Sequence, residues 1–200
     1  MRQMSCARLL GAVSAAVALA LVSGCGRSSS GRDSASSPHS GTGSQYRTYA
    51  GSGFSLWVPA GWRQEGAASA PDGATGLALA PPDHSASLDI HVYPHSNQGV
   101  DQTIATTLGA DELEASQGAI GDLQSHVRTP AIKGASAAKE LTETYTNKGG
   151  RQRYTGLVVL SASGKLIVIE TIASARAPAS YPAPVFDSFR LLEGGPSNAA

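Results

Sequence analysis

The sequence predicts an α+β domain in which helices pack on an antiparallel sheet. Within residues 165–173, Leu166, Val168 and Ile172 alternate with Ile167 and Ile169, so a strand there has two apolar faces. Such a strand is covered on both sides, which places it and its hairpin partner, residues 151–161, at the centre of the sheet. Residues 100–116 show the three-to-four-residue apolar spacing of an amphipathic helix. Strands on either side of that helix complete the pattern of a helix-covered sheet.

Three strands are expected before the helix. Alternating or short apolar runs predict them at residues 54–58, 76–80 and 86–93, with turns at residues 59–61 and 81–83. In the third strand one face carries large aliphatic side chains, Leu88, Ile90 and Val92, and the other carries Ser87, Asp89, His91 and Tyr93. One face therefore points to a core and the other is more polar.

The helix over residues 100–116 is expected to end at Gly118. Its apolar stripe comprises Val100, Ile104, Ala105 and Leu108, and Leu113 continues it one position late. That offset, next to Gly109, predicts an irregularity in the helix.

The second half of the chain returns to strands. These are predicted at residues 124–132, where Pro130 interrupts the pattern, and at residues 136–146, followed by a turn at residues 147–150. The central hairpin turns at residues 162–164, a short helix covers residues 182–188, and residues 189–192 close the domain.

The N-terminus has the features of an export signal. Arg2 and Arg8 precede a fourteen-residue apolar run, residues 9–22, and small residues follow it. The run is shorter than the roughly 20 residues that a spanning helix needs. Residues 22–25, Val-Ser-Gly-Cys, resemble a bacterial lipobox, in which the thiol of Cys25 accepts a diacylglyceryl group and becomes the first residue. Lipid anchoring is favoured over the alternative, a cleaved secretory signal with an incidental cysteine.

Four segments follow from this interpretation: a lipoprotein signal peptide (1–24), a flexible linker (25–44), a folded domain (45–193) and a disordered tail (194–200). Residues 26–44 include eight Ser and four Gly among nineteen residues, too polar to order themselves by burying apolar surface. As a flexible coil they span on the order of 24 Å, enough to hold a domain clear of lipid headgroups.

The charge and the cysteine content limit which partners and which covalent links the protein can have. After residue 24 the chain has 13 basic and 15 acidic residues, without a basic cluster, which argues against nucleic acid and against a polybasic lipid contact. Contact with the membrane is therefore expected only through the acyl chains on Cys25, on the outer face of the cell membrane. Cys6 and Cys25 are the two cysteines, so the predicted domain has no disulfide.

Two motifs near the ends of the predicted domain resemble PsbP-like domains. The first is Phe54-x-Leu56-x-x-Pro59-x-Gly61-Trp62, and the second is Val185-Phe186-Asp187-Ser188-Phe189. The resemblance spans roughly residues 46–192 and implies an α/β/α sandwich around an antiparallel sheet. PsbP-like proteins are mostly accessory and binding proteins, and many are bacterial lipoproteins. The resemblance therefore implies a non-enzymatic role, although no functional residue can be carried over.

No catalytic constellation stands out. Ser136-Ala-Ala-Lys139 matches the Ser-x-x-Lys pattern of penicillin-interacting enzymes, but the companion motifs are absent and the two side chains would point to opposite faces of a strand. Glu140, Glu143 and Asp89 could pair as acid and base only if they converged. No cofactor is expected.

A cluster of His and Asp supplies the alternative function. His84, Asp89, His91 and His95 fall within twelve residues, and Asp89 and His91 share one face of a strand. Imidazole and carboxylate suit Zn²⁺ or Cu²⁺, so an envelope metal-binding protein or enzyme is the rival hypothesis. Polar side chains on the more polar face of a sheet are the ordinary explanation for such a cluster.

The favoured function is a tethered domain that binds an envelope protein or a small apolar ligand. Trp57 and Trp62, with Tyr46 and Tyr49, could line a groove for such a partner. Core or rim packing is the usual role of aromatic residues at strand ends.

Overall fold

The computed structural model describes residues 45–65 and 74–192, and these form ten strands and two helices. The predicted signal peptide (1–24), the whole of the linker (25–44) and the tail (194–200) lie outside the described residues. No helix in the described ranges is long and apolar enough to cross a membrane.

Seven strands form the main sheet, and every strand pair in it is antiparallel. In chain order the strands are β3 (Arg63–Gln64), β4 (Thr75–Ala80), β5 (Ala86–Tyr93), β6 (Gly121–Arg128), β7 (Ala135–Asn147), β8 (Gly150–Ser161) and β9 (Leu166–Ser174). Their spatial order is β3-β4-β5-β9-β8-β7-β6, which confirms the central position predicted for the hairpin of β8 and β9.

A smaller sheet contains β1 (Tyr46–Gly51), β2 (Phe54–Pro59) and β10 (Arg190–Leu191), in the order β1-β2-β10. The two helices are α1 (Val100–Ser116) and α2 (Ala183–Asp187). The bounds of β5 and α1 agree with the prediction, whereas β1 and the two-residue β3 were not predicted. The predicted strand over residues 124–132 instead ends at Arg128, because Pro130 cannot donate to a ladder.

The domain has three layers. One face of the main sheet, here called the helix face, packs against α1 in a cluster that includes Val100, Ile104, Leu141 and Val158. The opposite face, here called the hairpin face, packs against the β1–β2 hairpin and α2 through residues such as Phe54 and Val185. The fold is therefore α+β, and the second outer layer combines a helix with a small sheet.

The buried side of α1 differs from the prediction at one turn. Val100 and Ile104 are buried as expected, but the next buried position is Asp111, which is 2% exposed, whereas Leu113 is 57% exposed. At 3.6 residues per turn, position 111 continues the stripe from position 104 and position 113 points away from it. The helix runs without a break through Gly109, so the predicted irregularity is wrong.

Two glycines allow opposite predictions for stability. A Cβ on Gly156 would lie 2.5 Å from the hydroxyl oxygen of Tyr154, a buried ring whose hydroxyl donates to Glu170 at 2.6 Å. Because that ring cannot move without losing its bond, Gly156→Ala is expected to lower the free energy of unfolding by about 1–3 kcal/mol. Gly109, an exposed helical residue with open space at its Cβ, is the control. Gly109→Ala should raise stability by about 0.5–1 kcal/mol. Urea unfolding measures both, and equal effects would contradict this account.

Candidate functional site

An exposed tryptophan dominates the outer face of the small sheet. Trp57 is 51% exposed, whereas its neighbours on β2, Leu56 and Val58, are almost fully buried, because successive strand residues point to opposite faces. The ring of Tyr46 lies 6.4 Å from that of Trp57, centroid to centroid. We call Tyr46 and Trp57 the aromatic patch. Tyr46 is the first residue of β1, so the patch lies where residues 25–44 join the domain.

The backbone beneath the aromatic patch is held firmly. The Trp57 N–H donates to the Ser188 hydroxyl at 2.7 Å, and that hydroxyl donates to the Val185 carbonyl at 2.8 Å. The strand β10 has only two residues and pairs with Ser55 and Phe54, so it does not reach Trp57. Ser188 supplies the partner for the Trp57 N–H and thereby links β2 to α2. The exposed indole is therefore presented from a rigid strand.

Trp62 has a different role from Trp57. It follows the turn after β2, is only half-buried, and packs its ring 5.0 Å from the ring of Tyr181, with both contributing to the core on the hairpin face. Tyr49 likewise contacts Phe54 on the core side, at 6.0 Å. The structure therefore assigns Trp62 and Tyr49 to packing, and Trp57 to the surface. Neither tryptophan is among the residues that line the two clefts bordered by residues 179–183 and 186–190.

The histidine cluster is spread over three environments. His84 lies in the turn before β5, in the left-handed region at φ 50°, with its Nδ1 3.0 Å from a carboxylate oxygen of Glu65. His91 is half-buried on the helix face of β5, and its Nδ1 is buried without a hydrogen-bond partner. His95 is exposed in the loop before α1. Asp89 shares the face of His91, as expected from strand alternation.

Within the described ranges, no group of three or more His, Cys, Asp or Glu side chains is arranged to hold a metal ion. His84, Asp89, His91 and His95 thus do not converge as the metal hypothesis requires. The reason is geometric: a strand rises about 3.3 Å per residue, so residues 84 and 95 at the two ends of an eight-residue strand are far apart.

Two carboxylates face each other on the helix face. Asp89 on β5 is directly opposite Glu170 on β9, and Tyr154 donates to Glu170. Burial raises the pKa of Asp89, and the negative charge of Glu170 adds to this, while His91 acts in the opposite direction. A like-charged pair at directly opposite positions is destabilising when both members are ionised.

The raised pKa of Asp89 predicts a pH dependence of stability. The folded state binds the Asp89 proton more tightly than the unfolded chain, so stability falls as the pH rises from the ordinary carboxyl range, about pH 4, through the folded pKa. Asp89→Asn removes this ionisable carboxyl. Relative to the unaltered protein, it should therefore raise the free energy of unfolding more at pH 7 than at pH 4.

Asp83→Asn is the control with the opposite sign. Hydrogen bonds from the backbone N–H and hydroxyl of Ser85 lower the pKa of Asp83. Its charged form stabilises the fold above the ordinary carboxyl range, and this contribution is lost as the pH falls through the lowered pKa. Asp83→Asn should therefore cost stability at pH 7. Urea unfolding at pH 2.5, 4, 5.5 and 7 tests both variants, because the Asp83 effect changes below about pH 4 and the Asp89 effect above it. A shared pH profile would contradict the assignment.

The other candidate catalytic residues do not converge. The Ser136 hydroxyl donates to backbone carbonyls of Leu160 and Ser161, whereas Lys139 forms an ion pair with Asp101 on α1. Glu140 lies on the hairpin face, paired with Arg128 through two hydrogen bonds of 2.8 and 2.7 Å. Glu143 lies on the helix face, where Ser125 donates to it at 2.8 Å. Glu140, Glu143 and Asp89 therefore do not form an acid–base pair with one another.

A cleft of about 380 Å³ opens between the edge of the main sheet and α2. Apolar side chains form its floor: Leu157, Phe186, Phe189 and Ile132. Charged side chains stand around it: Arg128, Lys133, Glu140, Asp187 and Arg190. No short motif marks this cleft in the sequence, because the residues that line it are spread along the chain from position 128 to position 190.

No family model and no curated protein matches the sequence. Among solved structures, the chain is similar to the cyanobacterial PsbP protein (CyanoP) of Synechocystis, with a TM-score of 0.55 and 14% sequence identity over 79% of this chain and 98% of that one.

Two looser likenesses accompany it. A Pseudomonas aeruginosa protein of unknown function overlaps with a TM-score of 0.32 and 18% identity, over 66% of this chain and 84% of that one. LpqN of Mycobacterium tuberculosis, which is involved in cell envelope biogenesis, overlaps with a TM-score of 0.39 and 15% identity, over 70% and 83%. These two overlaps are too loose to define a fold. The match to cyanobacterial PsbP, together with the antiparallel sheet and its packed helices, shows that the described domain has a PsbP-like fold.

Proposed function

We propose that this protein is a lipid-anchored protein of the bacterial cell envelope, held on the outer face of the cell membrane, whose domain binds a protein partner without catalysis. The anchor is supported by the lipobox-like residues 22–25, which end an apolar run too short to span a bilayer. The non-catalytic role is supported by the separation of the candidate catalytic side chains described above.

The observation that carries the binding proposal is the exposure of Trp57. A tryptophan that leaves half of its surface in water gives up much of the stabilisation that burial would supply. Aromatic side chains of this kind are enriched at the energetic centres of protein interfaces. The hydrogen bond from the Trp57 backbone to Ser188 lowers the backbone entropy lost on binding, since the strand that carries the ring is already ordered.

Photo-crosslinking in intact cells tests this proposal. The full chain would carry a photoreactive phenylalanine analogue at position 57 or, as a control, at position 172. Ile172 is also partly exposed, at 37%, but lies in the middle of the main sheet. We expect a discrete protein adduct from position 57 that is absent from position 172. Adducts only to lipid, or equal adducts from both positions, would contradict the proposal.

The cleft favours a small apolar ligand as a second candidate. Its volume lies near the lower end of the range for ligand sites, and its floor is apolar. An apolar fluorescent probe should bind to the protein, and Ala131→Trp, which fills the cleft wall, should abolish that binding. Ala162→Trp, at an exposed turn, is the matched control. Probe binding that both variants leave unchanged would count against this candidate.

A further inference from the structure

The strand β6 forms one end of the main sheet, and its outer edge has no partner strand among the described residues. Seven of its eight residues are exposed. Natural proteins protect such edges with prolines, lysines or very short strands. The opposite end of the sheet follows that rule, because β3 has only two residues. β6 contains neither proline nor lysine, and after a bulge between Gly121 and Gln124 it continues regularly to Arg128.

The hydrogen bonds of β6 indicate which of its backbone groups point outward. The Thr142 hydroxyl on β7 reaches the carbonyl oxygen of its direct partner His126, at 3.4 Å. The His126 backbone therefore points toward β7. In an antiparallel pair the direction of the backbone groups alternates along the strand, so Ser125 and Val127 direct their N–H and C=O groups outward. Leu123 lies in the bulge, but its C=O shares a peptide plane with the Gln124 N–H, which points toward β7, and therefore also points outward.

The sequence of this edge is complementary to itself. If two copies meet antiparallel with Ser125 opposite Ser125, then Leu123 lies opposite Val127, Gln124 opposite His126, and Asp122 opposite Arg128. Each apolar side chain meets an apolar one. Asp122, which accepts a hydrogen bond from Thr146 in its own copy, lies opposite Arg128, which is paired with Glu140 in its own copy. The two Ser125 residues then exchange two hydrogen bonds, and the Val127 N–H of each copy donates to the Leu123 carbonyl of the other, giving about four hydrogen bonds.

We propose that two copies of this protein pair through their β6 edges, antiparallel about a twofold axis at Ser125, so that the two main sheets become continuous. A twofold interface of this kind needs one self-complementary surface, which β6 supplies. Main-chain hydrogen bonds provide the attraction, and the pairing of Leu123 with Val127 and of Asp122 with Arg128 fixes the register.

Cysteine crosslinking of the full chain tests the register directly. Gln124→Cys and His126→Cys chains with different tags would be co-produced in one cell and oxidised. Both positions are exposed, and the proposed pairing places them opposite each other, within disulfide distance. The mixed pair should form a disulfide-linked dimer, and each variant alone should form much less. The unaltered chain is the control for disulfides formed through Cys6 or Cys25. Ser163→Cys, at an exposed turn, is the control for disulfides formed by random collision.

A lysine substitution tests whether the edge itself is responsible. Val127→Lys in both chains places charge on the pairing edge and should remove the crosslinked dimer. Ile172→Lys is the matched control, because Ile172 is equally exposed, at 37%, but has strand neighbours on both sides. This change should leave the crosslink in place.

Three results would overturn the proposal. The first is no dimer above the Ser163→Cys background while the variants accumulate as folded, protease-resistant protein. The second is stronger crosslinking of His126→Cys alone than of the mixed pair, since it would shift the axis to residue 126. The third is an equal loss of the dimer in Val127→Lys and Ile172→Lys.

Discussion

Replacing Cys25 with alanine is expected to abolish acylation of the protein and to leave the uncleaved signal, residues 1–24, on the chain. In the proposed mechanism the Cys25 thiol carries the diacylglyceryl group, and cleavage follows only after this modification. Two or more acyl chains, at ~0.8 kcal/mol per buried CH₂, hold a protein stably on a bilayer, whereas the remaining chain has no basic patch to replace them. Cell fractionation and mass spectrometry of the native N-terminus measure the change.

Cys6→Ala is the matched control, because Cys6 lies inside the predicted signal and is removed with it. This variant should behave as the unaltered protein. Acylation or cleavage before residue 25 that survives Cys25→Ala, or a native N-terminus without acyl chains, would refute lipid anchoring at Cys25.

The largest expected loss of stability follows from Phe54→Ala. Phe54 is 1% exposed, its ring lies 5.9 Å from that of Phe189, and it joins the small sheet to the core on the hairpin face. Truncating a fully buried phenylalanine removes its transfer energy and leaves a cavity, at a cost of about 3–5 kcal/mol. Such a loss is a large fraction of the 5–15 kcal/mol by which typical domains are stable.

Trp57→Ala on the same strand is the control. Trp57 is a larger side chain, but it points away from the core and is half-exposed, so its truncation should cost no more than about 1 kcal/mol. The free energy of unfolding in urea measures both variants. A cost for Trp57→Ala equal to that of Phe54→Ala would mean that the outer face of the small sheet is part of the core.

Much of the fold could be predicted because its signals are local. The alternation of Leu88, Ile90 and Val92 identifies β5 with its exact bounds, and the apolar run at residues 165–173 places β9 at the centre of the sheet. The strand β1 was missed because Tyr46 and Tyr49 are separated by polar residues and do not alternate. Its formation depends on pairing with β2, which local propensity does not reveal.

The candidate site was predicted less well. The sequence pattern suggested that Trp57 and Trp62 line one groove. In the structure, Trp62 packs against Tyr181, a residue more than a hundred positions away along the chain. The same pattern predicted Leu113 on the buried side of α1. In the structure Asp111 is buried there and Leu113 is exposed. Both errors concern which surface a side chain meets, and that depends on distant parts of the chain.

The sequence by itself predicts an export signal and a tether, and it determined the type of most elements, since each of these depends on neighbouring residues. The tertiary structure decided that Trp57 is exposed, that Asp89 faces Glu170, and that β6 ends the sheet with an open edge. The physical reason is the same in each case. Exposure, charge pairing and edge position depend on contacts between residues far apart in sequence, and these exist only after the strands have paired and the layers have packed.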